Sequence, residues 1–395
     1  MTRRVVILGA GVAGLTTAFA LARGGIRVDV LESDRAQAPL GRRTAAGWVR
    51  EGTPQAQHAH VFGPDFHRLL ATELPDVLAL LLEAGVRESP ARSGPGSVLA
   101  LRRPLLDWVL RRVAEREPGM RVHCGMPATG LRTDGSRLTG ILVRGGLLET
   151  EVAVDATGIR TPIARWLSDL GYSCAHPAPS PPGPLLTTTY YSRGYALRWP
   201  SDSGASDSAR AGGGAFDGYR CWAVPGDNDT FTVTFGIPGR QSDRSAGAPS
   251  ALRTPEGFQA AAEHVSGISN WVDPGTADPL TGVAVLHGWP PASERGPVGF
   301  SALPGLVAVG DARGVSEPIA GNGVALAMAQ GLACAAAVLG GSGAEDSLEQ
   351  VVAGAGTASA EPGLPVPRRR SLAGPNVREL VLIAGSAGRS TQVSA

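Results

Sequence analysis

The strongest constraint on this chain lies in its first 32 residues. Arg4–Leu8 (RVVIL) is a short β-branched apolar run, the pattern of a fully buried parallel strand. Gly9-Ala10-Gly11-Val12-Ala13-Gly14 then turns the chain into a helix reaching about Arg23, with Leu15, Phe19 and Ala22 on one face. Gly24-Gly25 ends that helix, and Arg27–Glu32 (RVDVLE) is a second strand. This is a complete βαβ start with a GxGxxG turn. The glycines let backbone approach a pyrophosphate and let helix and strand pack closely. The helix N-terminus offers free N–H groups and the positive end of its dipole. Glu32 lies 18 residues past Gly14, where a carboxylate can accept from ribose hydroxyls. Gly9, Gly11, Val12, Ala13, Gly14 and Glu32 are therefore expected to bind a dinucleotide. The motif does not say which one.

Composition narrows the classes. A length of 395 residues allows two or three domains, and 43% apolar with 18% charged residues fits a globular protein with a sizeable core. The formal charge of +1 gives no support for nucleic-acid or membrane-surface binding. Every basic residue is arginine, which excludes a P-loop lysine, a PLP Schiff base and any other lysine-amine mechanism. Cys124, Cys174, Cys221 and Cys334 lie far apart without a CxxC pair, so no zinc site or disulfide framework is expected and a reduced, cytoplasmic protein is. Arg3-Arg4 and the apolar run to Ala22 imitate a secretory signal, but the glycine spacing and the following strand argue for βαβ. Gly323–Gly340 is apolar yet Ala-rich and carries Gln330 and Gly331, the pattern of a buried core helix rather than a membrane span.

Further along, helical spacing is predicted over 66–84 with a break at Pro75, over 104–117, and over 162–170. Strand patterns cover about 128–133, 138–144 and 147–154, ending at Asp155-Ala156-Thr157-Gly158. Residues 175–184 are Pro-rich, and 185–199, 219–224, 230–237 and 281–288 read as strands, with a helix at 255–265. Residues 200–214 read as a mobile Ser/Gly/Asp/Ala loop. Leu306–Val309 is a buried strand running into Gly310-Asp311. The core helix at 323–338 follows, then a Gly/Ala/Pro-rich linker and a last helix near 377–385.

The second diagnostic motif is Leu306–Asp311 (LVAVGD), then Pro318 and Gly321-Asn322-Gly323 at a helix start. It resembles the Gly-Asp motif of FAD-dependent hydroxylases. With the first motif, it makes the chain resemble the class A flavoprotein monooxygenases with the p-hydroxybenzoate hydroxylase-like fold, and most of all their bacterial branch of polyether epoxidases and natural-product oxygenases. The resemblance runs from residue 4 to about 338 and is firm at the motifs. It implies an α/β fold: a Rossmann-like FAD-binding domain with an inserted α+β substrate domain on a mainly antiparallel sheet, plus a C-terminal helical tail. The implied FAD-binding domain is discontinuous (1–60, 100–171 and 300–340), with a substrate domain at 61–99 and 172–299 and a linker and helix at 341–395. It implies that Asp311 binds the ribityl chain and that Pro318, Gly321, Gly323 and Val324 face the flavin ring. The segment Arg50–His60 (REGTPQAQHAH) looks like that branch's stretch between second strand and flavin, with Arg50 on the FAD phosphates or ribose. Arg103 matches a family arginine opening a helix beside the cofactor.

The implied activity is insertion of one oxygen atom from O₂ into a small organic, natural-product substrate through the flavin C4a-hydroperoxide. An FAD-dependent reductase or dehydrogenase, or a non-redox cyclase using FAD structurally, remains as an alternative. Since the flavin carries the chemistry, no catalytic residue is required; Tyr191, Arg193 and His58 are the pocket candidates. His58 and His60, at i and i+2 without further ligands, make a poor metal pair, and no metal is expected. Thr157 stands where typical members carry Asp, and there is no second GxGxxG unit, so electrons are expected from transiently bound NADPH or a separate flavin reductase. Halogenases on the same scaffold depend on a lysine and a WxWxIP motif. This chain has neither, Cys221–Pro225 (CWAVP) giving only a fragment, so halogenation is not expected.

Overall fold

In the computed structural model, residues 4–35, 37–39, 41, 48–91, 94–172, 186–198, 212–240, 250–289, 293–294, 303–315, 322–340, 379–380 and 383 are described. The first unit is a five-stranded parallel sheet. Its strands are β1 (Arg4–Leu8), β2 (Arg27–Glu32), β5 (Met120–Cys124), β9 (Val152–Asp155) and β17 (Leu306–Ala308), in the order β17-β9-β1-β2-β5. Between β2 and β5 lie the hairpin β3 (Arg87–Pro90) and β4 (Ser97–Ala100). Between β5 and β9 lies the meander β6 (Ala128–Thr133), β7 (Leu138–Val143) and β8 (Gly146–Glu149). The single strand expected at 147–154 is thus two: β8 closes the meander, and β9 enters the parallel sheet beside β1. The join is Thr150, whose hydroxyl oxygen accepts from the Val152 N–H (3.2 Å) and lies within donating reach of the carbonyls of Val152 (2.7 Å) and Arg4 (3.0 Å). β5 carries no continuous apolar run and was not anticipated; it is an edge strand, half-exposed.

Two helices cover the parallel sheet on one side, Val12–Arg23 and Gly323–Gly340. Their close approach requires Gly331: a Cβ there would lie 2.8 Å from Thr17 Oγ1 and 2.9 Å from the Ala13 carbonyl. Gln330, one residue earlier, is buried and accepts from the Gly310 N–H at 2.7 Å. The helix Gly323–Gly340 is long and apolar enough to cross a membrane, but Val324, Met328, Cys334, Ala335 and Val338 pack in the core beneath the sheet.

The second unit is an antiparallel sheet of β10 (Leu186–Leu197), β11 (Gly212–Phe216), β12 (Tyr219–Pro225), β13 (Thr230–Arg240), β14 (Ala277–Pro279) and β15 (Ala284–Trp289). β16 (Ser293–Glu294) pairs with β18 (Gly314–Val315) beside it. One sheet face packs Tyr191, Tyr195, Phe231 and Phe235 against the helix Pro255–Glu263 through Phe258, Ala261 and Ala262. Gly212–Gly214, expected within a mobile loop, belongs to β11, because its backbone pairs with Cys221–Ala223. The remainder of that expected loop and the Pro-rich 175–184 lie outside the described residues. Of the C-terminal helix only Glu379, Leu380 and Ile383 are described; Leu380 is buried in this second core.

The two units are pinned together by a buried ion pair. Asp227, in the turn between β12 and β13, accepts from the Arg102 backbone N–H (2.9 Å) and guanidinium (2.7 Å), just ahead of the helix Arg103–Ala114. Burial raises the Asp227 carboxyl, but Arg102 outweighs it and holds the group below its ordinary value.

Candidate active site

One cavity of about 570 Å³ runs from the glycine turn of the parallel sheet to the antiparallel sheet. At one end sit Gly9–Ala13, Glu32, Arg50 and Arg103; at the other, Tyr190, Trp222, Thr234, Leu286 and Trp289. His58 and His60 line it as well.

The turn after β1 is dictated by its glycines. Gly9 has φ of +100°, and a Cβ there would meet the Ala156 carbonyl. A Cβ on Gly14 would run into the Gly9 carbonyl, so glycine at 14 lets the helix pack this tightly on the end of β1, as glycine at 9 lets the turn after β9 come close. Gly11 differs: a Cβ there meets nothing within 4 Å, because it would project into the cavity. Gly11 is also the N-cap of Val12–Arg23 and has no side chain to cap the first turn. Open space in front of uncapped backbone donors suits a pyrophosphate. The residues present therefore fit a dinucleotide.

Glu32 Oε2 accepts from the Ala10 N–H (3.1 Å) and from Arg50 Nη2 (2.6 Å). Arg50 Nη2 also donates to the Ala10 carbonyl (3.2 Å), and its Nη1 pairs with Asp107 (3.3 Å). Asp107 in turn holds Arg103 Nε at 2.7 Å. All four side chains are buried. Burial opposes the charges of Asp107 and Arg50; even so, Arg103 and Arg50 hold the Asp107 carboxyl below its ordinary value, and Asp107 with Glu32 hold Arg50 above its own. The chain of charges Glu32–Arg50–Asp107–Arg103 fixes one wall of the dinucleotide end. Asp107 was missed in the sequence; its position four residues after Arg103 on a helix was the available signal.

At the flavin-ring end expected from the second motif, Asp311, Gly323, Val324 and Ala327 line the cavity. Gly310, with φ of +64°, brings this turn against Ala13. Pro318 and Gly321 lie outside the described residues. Asp155, fully buried, accepts from the Thr157 N–H (3.0 Å), the Thr157 hydroxyl (2.6 Å) and the Thr161 hydroxyl, and so holds the turn that presents Thr157 to the cavity.

The pocket candidates on β10 need a correction of parity. Tyr191 and Arg193 are not among the lining residues. Tyr191 is fully buried in the second core, and Arg193 donates to the carbonyls of Thr281 and Pro255 (both 3.1 Å) on the same far side. Tyr190 and Ser192 face the other way: Tyr190 lines the cavity edge-on to Trp222, and Ser192 bonds His58 Nδ1 at 2.7 Å. Gly236, opposite Tyr190 across β13, makes room for its ring, since a Cβ would stand 3.0 Å from it. Both faces of β10 are buried, so alternation could not tell which face meets the cavity. Burial first, with His60 nearby, pushes the His58 imidazole down to about 3; burial and then Arg103 push His60 down to about 4.

Comparison with known proteins agrees with this geometry. Residues 4–92 match the family described as FAD dependent oxidoreductase. No curated protein matches the chain. Among solved structures, a triple variant of a flavin-dependent brominase is similar at 18% identity and TM-score 0.63, covering 88% of this chain and 83% of that one. A probable FAD-dependent monooxygenase of Pseudomonas aeruginosa, PqsL, is similar at 17% identity and TM-score 0.60, covering 92% of this chain and 94% of its own. The Diels-Alderase of the pyrroindomycin biosynthetic pathway is similar at 17% identity and TM-score 0.61, over 98% and 77%. Residues 4–92 are thus similar to an FAD-dependent oxidoreductase domain, and the fold is one found in flavin monooxygenases and halogenases of solved structure.

Proposed function

We propose that this protein is an FAD-dependent monooxygenase, a hydroxylase or epoxidase acting on an organic natural-product substrate. The observation that carries the reading is a continuous cavity from the glycine turn of the parallel sheet to an apolar wall on the second sheet. Bound FAD would supply the activation of O₂ and the transfer of one oxygen atom. Gly11, Val12 and Ala13 would hold the pyrophosphate, Glu32 and Arg50 the ribose and phosphates, and Asp311 the ribityl chain. The N-terminus of Gly323–Gly340 would stand by the ring, where its dipole favours negative charge. Tyr190, Trp222, Leu286 and Trp289 would bind and orient the substrate and exclude water.

The dinucleotide unit is assigned residues 1–60, 100–171 and 300–340, and the substrate unit 61–99 and 172–299. The absence of lysine from the chain argues against the halogenation found among its structural neighbours. Electrons come from NADPH visiting the flavin face transiently, or from a separate reductase. Incubation under ¹⁸O₂ with a reductant tests the reading: one labelled oxygen in the product is expected. Turnover without oxygen or reductant would overturn it in favour of a non-redox role.

A further inference from the structure

His287 stands at the mouth of the cavity: it lines the cavity and is exposed to solvent. A β-bulge puts it there. Leu286 of β15 lies opposite Tyr190 and Trp289 opposite Thr188, so His287 and Gly288 together oppose the single residue Thr189. Leu286 packs on the cavity wall and Val285 on the second core, so unbroken alternation would send His287 after Val285. The extra residue, Gly288 with φ of +65°, re-aims the strand, and His287 lines the cavity instead. The imidazole meets Arg253, from the single turn Ser250–Arg253, whose Nη2 lies 2.8 Å from His287 Nε2. A guanidinium only donates, so Nε2 accepts and the ring proton sits on Nδ1. Partial burial first, and then Arg253, hold His287 below its ordinary value and keep the ring neutral. Among the described residues Nδ1 has no partner, and Arg253 is paired with no carboxylate.

We propose that His287, backed by Arg253, is a carboxylate-binding subsite at the cavity mouth, selecting an acidic substrate whose apolar body lies on Tyr190, Trp222 and Leu286. The guanidinium charge behind the ring polarises it and has no counter-ion of its own, so Nδ1–H pairs better with an anion than with a neutral acceptor. His287 makes the contact; Arg253 is a positioning residue that fixes the tautomer. A bound carboxylate also offsets Arg253 and lets His287 take up a proton, so binding is linked to protonation. The inference rests on the monooxygenase reading for calling the ligand a substrate, but not for the subsite itself.

The test uses FAD-loaded protein and two probes of nearly equal shape, 2-naphthoate and 2-naphthamide, with affinities measured by calorimetry. The anion is expected to bind about tenfold tighter than the amide. That ratio should shrink in Arg253→Gln, which can still donate to Nε2 but carries no charge, and vanish in His287→Phe. Arg198→Gln, which removes a guanidinium from an exposed ion pair at the end of β10, should leave the ratio unchanged. Titrations at about pH 6 in buffers of different ionisation enthalpy should show proton uptake with naphthoate in the wild type and none in His287→Phe. Long-range ¹H–¹⁵N spectra without probe should show His287 protonated on Nδ1. Equal affinity for both probes, a preference surviving His287→Phe, or a ring proton on Nε2 would overturn the proposal. Flavin absorbance read on the same samples separates the two claims. A protein that fails to retain FAD yet still prefers naphthoate would sink the monooxygenase reading and leave the subsite standing. Flavin-loaded protein without the preference would sink the subsite and leave that reading intact.

Discussion

Burial of His58 makes the folded state acid-sensitive, and the effect can be sized. An exposed imidazole titrates near 6.5, whereas burial, with His60 adding to it, holds His58 down to about 3. Below pH 6.5 the unfolded chain takes up a proton that the folded chain refuses, so stability is fully present above that value. It falls steadily as the pH drops from 6.5 toward 3. Between pH 7.5 and pH 5 the His58 contribution to this loss is about 2 kcal/mol. The measurement is urea denaturation at both pH values, with FAD in excess, for the wild type and His58→Gln. Other titrating groups are common to both proteins and cancel in the difference. The variant should lose about 2 kcal/mol less stability on acidification than the wild type. An identical pH dependence in the two proteins would refute the reasoning, because it would mean that His58 is protonated in the folded state without penalty.

The glycine turn offers a contrast between two neighbouring substitutions. Gly14→Ala should fail to fold or unfold at much lower urea concentration, since its Cβ collides with the Gly9 carbonyl. Gly11→Ala should keep apoprotein stability within about 1 kcal/mol, as its Cβ meets no protein atom, yet lower FAD affinity at least tenfold by filling the pyrophosphate space. Normal FAD retention in Gly11→Ala would count against the cradle. Glu32→Ala should weaken FAD retention, since it removes the carboxylate from the cavity wall and leaves Arg50 short of a partner; unchanged affinity by equilibrium dialysis would remove Glu32 from the site. Stopped-flow mixing with NADPH tests the electron source: fast flavin bleaching by NADPH alone excludes the need for a reductase, and no bleaching under any substrate condition favours a separate reductase or the non-redox reading.

Some of this molecule was legible from residue order because the physics is local. The opening βαβ unit needs an apolar run, glycines at fixed spacing and a carboxylate on the next strand, all within 32 residues. The break between the helices Pro64–Glu73 and Pro75–Glu83 follows from a proline that cannot donate its missing N–H. The turn at Gly310-Asp311 and the helix after it were readable for the same reason. Other features depend on which distant segments meet. Residues 147–154 show one continuous strand pattern, yet pairing with β7 on one side and β1 on the other divides them into two strands. Asp107 came to support the cavity wall because Arg50, 57 residues earlier, reaches it in space.

The face of β10 that meets the cavity was undecidable from alternation. A strand buried on both sides carries apolar or neutral residues in both phases, so Tyr191 and Tyr190 look alike along the chain. Only the helix Pro255–Glu263, covering the odd-numbered side, and His58, bonding Ser192 on the even side, fix the phase. The sequence alone determined the glycine turn between β1 and its helix, because that turn is built from neighbours along the chain. The far wall of the cavity was decided by tertiary structure, because it exists only where two sheets and the segment at His58 come together.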